Sequence, residues 1–369
     1  MRAFSFDIFC RVVDNFGDIG VCWRLARRLA GMPAGHRVRL WVDDLAGFAR
    51  IQPGVDAGAA GQRIGRVEIV HWTAAPPALA PGEVVIEAFA CPPPPAFVAR
   101  MAQRGSLWIN LEYLSAESWV ESCHTVPSPQ PTGVRKVFFF PGFTPGTGGL
   151  LRESGLLETR DDWLADPGRR RELLRALGVP AEFRERIGQG ARQVLLFSYP
   201  DAPARGLVQS PGALETQSLV LVPSGVCPGL RRAWHGKVLV HEFPFLDQDG
   251  FDRVLWGCDL NFVRGEDSLV RALWAGKPLL WHIYPQADGA HLAKLDAFLE
   301  RSPFAAVVKR CHRAWNQPDP GIAADALALA LQPENFSAWA RSSAQWCRSL
   351  ARQADLAESL AAFCERELG

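Results

Sequence analysis

No run of apolar residues in this chain approaches the roughly 20 needed to cross a bilayer as a helix, although 48% of its residues are hydrophobic. An excess of either charge is also missing. The 40 basic residues stand against 39 acidic ones, a formal net charge of +1. That balance supplies no field for nucleic acid or for an anionic membrane surface. The nine cysteines form no Cys-x-x-Cys pair or other close metal-ligand spacing. Odd in number and scattered, they read as reduced, mostly buried thiols of a cytoplasmic protein. No signal peptide fits the N-terminus, because Asp7 interrupts the first apolar run. Internal repeats, long disordered tracts and a GxGxxG fingerprint are absent too. What remains is an α/β chain of 369 residues, a length suited to two domains.

The densest stretch runs over 261–286. It reads as a strand over 260–263, the polar turn Arg264-Gly265-Glu266-Asp267-Ser268, a helix over 269–275, a left-handed stop at Gly276 and a second buried strand over 279–281. Ser268 or Asp267 is expected to cap the helix. A helix N-terminus offers free N–H groups and a positive dipole end to an anion. Arg264 and the Tyr284 loop flank it. The plainer alternative is an ordinary βαβ unit with a solvated turn. Ahead of it, the strand over 193–197 opens a sheet and ends in Phe197-Ser198-Tyr199-Pro200. Strands over 219–222 and 238–241 and a helix over 251–258 follow. Phe243 and Phe245 read either as core or as a slot in which a base stacks near Gln248.

The chain opens in the same manner, with a strand over 6–13, a turn Asp14-Asn15-Phe16-Gly17-Asp18-Ile19-Gly20 and a helix over 21–30. Ligands of a doubly wound sheet bind beyond the carboxyl ends of its strands. Two aspartates in that turn favour a neutral or cationic ligand group, or a proton to be removed, over a phosphate. Alternatively, Asp14 caps the helix and Asp18 lies in its first turn, where acids suit the dipole. Strands over 38–42, 67–72, 84–90 and 107–113 follow, the third stopped by Pro92-Pro93-Pro94-Pro95. A surface helix is expected over 114–125, and a strand entering a Pro- and Gly-rich loop around Lys136 to Phe143. Domain boundaries follow: an N-terminal domain over 1–150, a junction over 151–190, a second domain over 191–335, and a C-terminal helix over 336–369 crossing back to the first.

Four segments together carry a family resemblance. They are Asp14 to Val21, Leu111-Glu112-Tyr113-Leu114-Ser115, Phe138-Phe139-Phe140-Pro141-Gly142-Phe143 and Arg264 to Ser268. The chain resembles, over essentially its full length, the protein-arginine rhamnosyltransferases that act on elongation factor P. The resemblance implies a GT-B fold, two Rossmann-like domains facing a central cleft. It implies inverting transfer of L-rhamnose from dTDP-β-L-rhamnose to an arginine guanidinium of elongation factor P, with no cofactor and no metal. Carried over by motif, Phe245 and Gln248 hold thymine, Tyr284 with Asp267 and Ser268 holds the diphosphate, and Glu266, counted among the catalytic residues, lies beside the sugar. Phe197 and Tyr199 border the same pocket, with Arg264 and Gly265 at its rim. Asp18 is assigned as base and Asp14 as its orienting partner, an order that is reversible, with Asn15, Phe16 and Gly17 in the same turn. Two alternatives stand beside this: a sugar-nucleotide epimerase or hydrolase on the same fold, and a non-catalytic binder of a translation factor.

Overall fold

Alternation along the first strand, Ser5–Cys10 (β1), organises the first unit. Phe6, Ile8 and Cys10 point into one core and Phe9 into another on the opposite face, as the two-residue period of a strand requires. A computed structural model describes residues 2–13, 16–209, 217–230, 233–286 and 288–369. The chain divides into two units, Met1–Ser154 with Leu350–Gly369, and Gly155–Ser349.

In the first unit β1 is followed by α1 (Gly17–Ala30), β2 (Arg37–Val42), α2 (Leu45–Ile51), β3 (Gly61–Ile64), β4 (Val67–His71), β5 (Val84–Ala88), α3 (Pro95–Arg104), β6 (Leu107–Leu111), α4 (Trp119–Cys123) and β7 (Lys136–Phe139). The sheet order is β3-β4-β2-β1-β5-β6-β7, with β3 alone antiparallel. Its parallel strands therefore follow the doubly wound order, and the direction of winding reverses between β1 and β5. α1 packs on one face through Ile19, Cys22, Leu25, Ala26 and Leu29, an apolar stripe at helical spacing. α3 covers the other face with Phe97, Val98 and Met101.

The second unit begins with α5 (Leu156–Leu164), α6 (Pro167–Ala176) and α7 (Ala181–Gly188). Then come β8 (Arg192–Leu196), α8 (Ala204–Gln209), β9 (Ser218–Pro223), β10 (Ala233–His235), β11 (Val238–Phe243), α9 (Gln248–Gly257), β12 (Leu260–Arg264), α10 (Asp267–Ala275) and β13 (Leu279–His282). Helices α11 (Ala290–Arg301), α12 (Ala306–Trp315) and α13 (Pro320–Ala330) complete it, and the unit boundary falls near the end of α14 (Pro333–Ala351). The sheet order β10-β11-β9-β8-β12-β13 repeats the winding of the first, with the reversal between β8 and β12.

Several sequence expectations change in the structure. β1 stops at Cys10, and α1 starts four residues earlier than expected, so Gly17 and Asp18 lie inside the helix. The stretch over 151–190, placed as the junction, belongs from Gly155 to the second unit and carries three helices. Residues 114–125 hold only the short α4, because Ser115 bridges to Gly142 instead of entering a helix. β3 and β10 are short antiparallel edge strands whose mixed composition gave no alternating signal.

The tail is two helices, α14 and α15 (Leu356–Leu368), the second opened by a capping box of Asp355 and Glu358. α15 belongs to the first unit's core through Leu356, Ala357, Leu360, Ala361 and Phe363. Arg28 of α1 fixes its start, donating from Nη2 to Asp355 at 2.7 Å and to Glu358 at 2.7 Å. Burial raises the Asp355 carboxyl from its ordinary range, and Arg28 opposes that shift. Removing one partner of such a pair leaves a buried charge uncompensated. Arg28→Ala should therefore destabilise the first unit by about 3–5 kcal/mol in urea unfolding; a loss below about 1 kcal/mol, the range of a surface pair, would contradict this placement.

Candidate active site

In the second unit, the reversal between β8 and β12 places two loop starts side by side. β8 runs out into Phe197, Ser198 and Tyr199, and β12 ends on Arg264. The Arg264 guanidinium lies over the Phe197 ring at 4.6 Å and over the Tyr199 ring at 4.9 Å, a double cation–π clasp. Further rings extend the cluster. Phe197 meets Phe251 edge-on at 5.1 Å and Phe245 at 6.5 Å, while Tyr199 meets Tyr284 at 5.4 Å and His282 at 5.5 Å. The nominated Phe197, Tyr199, Phe245, Arg264 and Tyr284 thus form one continuous group around a guanidinium. Tyr284 remains 54% exposed.

The turn after Arg264 is tightly specified. Gly265 has φ +60°, a left-handed conformation that any side chain would strain, and its carbonyl accepts from Trp281 Nε1 at 2.7 Å. Glu266 is the N-cap of α10, and no side chain caps that helix. This corrects the expected capping role of Ser268 and Asp267. Ser268 Oγ turns back instead, accepting the Arg264 N–H at 3.0 Å and donating to the Arg264 carbonyl. Ser268 thereby braces the turn that leads into α10. Glu266 Oε1 accepts from Lys294 Nζ at 2.7 Å.

Two sets of polar contacts, the first of them buried, fix the scaffold behind this turn. Arg271 of α10 donates twice to Asp252 of α9, at 3.0 and 2.6 Å, a bidentate pair that sets both position and angle. Asn316 accepts the Ile283 N–H at 3.0 Å and donates to the Trp281 carbonyl at 2.8 Å, anchoring the strand end that leads to Tyr284. Gln248 is buried in the first turn of α9, which starts earlier than expected because Asp247 caps it through Gly250 N at 2.8 Å. Phe245 is half-buried just before it. Cys227 is buried, and burial pushes its thiol up to about 11, against the charge of Arg264.

In the first unit, the reversal between β1 and β5 carries the acidic turn. Asp18 is buried in the first turn of α1, and its Oδ2 accepts the Val13 N–H at 2.9 Å. Phe16 is the N-cap, and the Arg50 guanidinium lies 5.1 Å from its ring. Asp14 and Asn15 lie outside the described residues. Beside this turn, Phe89 and Ala90 follow β5 with φ of +57° and +54°, strain of a kind that collects at functional sites. Phe89 stacks on Tyr113 at 4.6 Å. Burial raises the Glu112 carboxyl while Asn110 donates to it at 2.6 Å.

Sequence reasoning missed Lys294, His282, Asp252, Arg271 and Asn316. Each acts on a partner at least 19 residues away, a distance at which no local pattern exists.

Two doubly wound units, each with a polar turn at its reversal point, match the architecture of solved GT-B glycosyltransferases. A family model described as "Elongation-Factor P (EF-P) rhamnosyltransferase EarP" matches residues 6–365. The chain is 45% identical to a protein-arginine rhamnosyltransferase of Pseudomonas putida over 391 aligned residues, covering 100% of both chains. It is 34% identical to one of Neisseria meningitidis serogroup B, over 97% of this chain and 96% of that one. A solved structure described as the structural basis for EarP-mediated arginine glycosylation of translation elongation factor EF-P is 34% identical, with a TM-score of 0.64 and coverage of 98% and 99%. A Streptomyces glycosyltransferase complexed with thymidine diphosphate, 11% identical with a TM-score of 0.51 and coverage of 98% and 99%, shares the fold alone. The chain belongs to the EarP family of protein-arginine rhamnosyltransferases. Among the described residues, no helix is long and apolar enough to cross a membrane.

Burial lowers the His282 imidazole from 6.5 to about 4. Its Nδ1 accepts the Tyr199 N–H at 3.2 Å. A folded pKa below the unfolded one contributes stability that is complete above pH 6.5 and is lost as pH falls toward 4. His282→Asn, which keeps an acceptor, should flatten the fall in thermal stability across that window by on the order of 3 kcal/mol. Parallel melting-versus-pH curves for the two proteins would contradict it.

Proposed function

We propose that this enzyme transfers L-rhamnose from dTDP-β-L-rhamnose to an arginine guanidinium of elongation factor P, with inversion and without a metal or cofactor. The observation that carries the donor half is Arg264, clasped by Phe197 and Tyr199 beside the uncapped start of α10. As the C1–O bond breaks, negative charge develops on the departing diphosphate. The positive end of α10 and Arg264 stand ready for that charge without reorganising. Asp267, Ser268 and Tyr284 complete the diphosphate seat. Phe245 and Gln248 receive thymine. Glu266, oriented by Lys294, accepts hydrogen bonds from the sugar hydroxyls.

The acceptor half belongs to the acidic turn. A guanidinium has a pKa above ~12, so it is protonated and poorly nucleophilic in water. Carboxylates can localise its charge by charge-assisted hydrogen bonds and take a proton as the C–N bond forms. Asp18 is the proposed base: a guanidinium nitrogen attacks C1 from the face opposite dTDP, the C1–O bond breaks, and the N–H proton passes to the carboxylate. Asp14 is its proposed orienting partner, with Asn15, Phe16 and Gly17 shaping the turn. The scattered, buried thiols suit the cytoplasm, where elongation factor P works.

Asp18→Asn should keep donor binding in calorimetry and lose transfer by at least about 100-fold. Loss of donor affinity in the same variant would make Asp18 a structural or donor-contacting residue. Phe245→Ala should weaken dTDP binding by the ~1–3 kcal/mol of a stacked base, and unchanged affinity would remove it from the slot. Release of dTDP from the donor without elongation factor P, at the rate seen with it, would favour the hydrolase or epimerase alternative.

A further inference from the structure

We propose that the first unit carries a second ligand site, for a small polyphosphate such as a nucleoside triphosphate, at the N-terminal ends of its parallel strands. A cavity of about 590 Å³ opens there, lined from the starts of β1, β2 and β4 and the segment before β5. That volume lies in the range of small-molecule pockets. Doubly wound sheets ordinarily bind ligands at the opposite, carboxyl end, where Asp18 sits. The two places are separated by the length of β1, roughly 20 Å. This cavity is therefore outside the site proposed for transfer.

Charge singles it out. Arg37, Arg39, Arg63, Arg66 and Arg104 line it, against one lining carboxylate, Glu68. Arg39 is already engaged, donating to Asp7 at 2.7 and 2.9 Å. Asp7 also accepts from Trp41 Nε1 at 2.8 Å and Gly82 N at 2.6 Å, so its charge is fully met within the fold. The other four arginines are exposed around the opening. In a chain of nearly zero net charge, four exposed guanidinium groups around one cavity make a local positive field that suits an anion. Their planar forks match phosphate oxygens two at a time.

An independent feature lies in the wall. His36 is 5% exposed and lines the cavity, its Nδ1 accepts the Phe4 N–H at 3.1 Å, and its buried Nε2 has no partner. The ring packs against Phe4 and Phe6, and Nε2 is buried within the wall, so His36 shapes the cavity and does not supply a ligand contact. Glu68 supplies the complementary function, accepting from a hydroxyl or amine of the ligand. Phosphates for the arginines and a hydroxyl for the carboxylate together describe a nucleoside polyphosphate better than inorganic phosphate.

The test is calorimetry of inorganic tripolyphosphate and of ATP with the full-length protein, joined to hydrogen exchange. One equivalent of tripolyphosphate should bind and protect residues 35–39 and 63–68. Arg37→Glu/Arg66→Glu, checked for an unchanged melting temperature, should weaken it by about tenfold or more, as loss of two charge-assisted contacts implies. Arg63→Gln/Arg104→Gln serves if the first variant does not fold. ATP binding more tightly than tripolyphosphate would support the Glu68 contact, and equal binding would support the phosphate contacts. Undiminished binding by a folded variant would overturn the proposal. So would loss of binding in sodium chloride of matched ionic strength, which would mark diffuse charge on a solvated sheet edge, or binding of a short RNA with none of tripolyphosphate.

Discussion

The first strand of each sheet lies between neighbours whose crossovers leave in opposite directions. β1 sits between β2 and β5, and β8 between β9 and β12. No connection can cover the carboxyl end of such a strand. The loops that start there lie where ligands of such sheets bind, and the contacts behind them hold them in place. In the second unit the bidentate Arg271–Asp252 pair and the Asn316 anchor fix the helix and strand around Arg264. In the first, Val13 is tied to Asp18 and Val12 to Asp43, both at 2.9 Å.

Because the two loops share this origin, their difference in chemistry is informative. The second unit brings a guanidinium and an uncapped helix start to its reversal point. The first brings a buried carboxylate to the first turn of a helix. One arrangement suits a departing diphosphate and the other a cationic nucleophile. Transfer of a sugar from a nucleotide to arginine needs both, and neither alone would suffice.

The sequence made the strand–turn–helix units legible, because their apolar runs are bounded by Gly276, Pro278 and the polyproline stop at Pro92 to Pro95. The family resemblance grouped Phe197, Tyr199, Phe245, Arg264 and Tyr284, which the fold brings into one cluster. Boundaries were less legible. Asp18 belongs to α1 because Phe16, a poor capping residue, opens that helix, and nothing in the local pattern marks it. Ser268 carries the type of a cap, yet its hydroxyl closes a turn with Arg264. Side-chain type alone does not distinguish those uses. The Lys294 and Arg271 pairings arise only when α11 and α9 pack, so they have no signature in sequence.

The intact mass of elongation factor P after incubation with this enzyme and dTDP-β-L-rhamnose tests the central claim most directly. A gain of one deoxyhexose, mapped to an arginine side chain and lost with Asp18→Asn, is the predicted result. An unchanged mass while dTDP still binds would contradict it, leaving the fold intact and the proposed acceptor or sugar wrong.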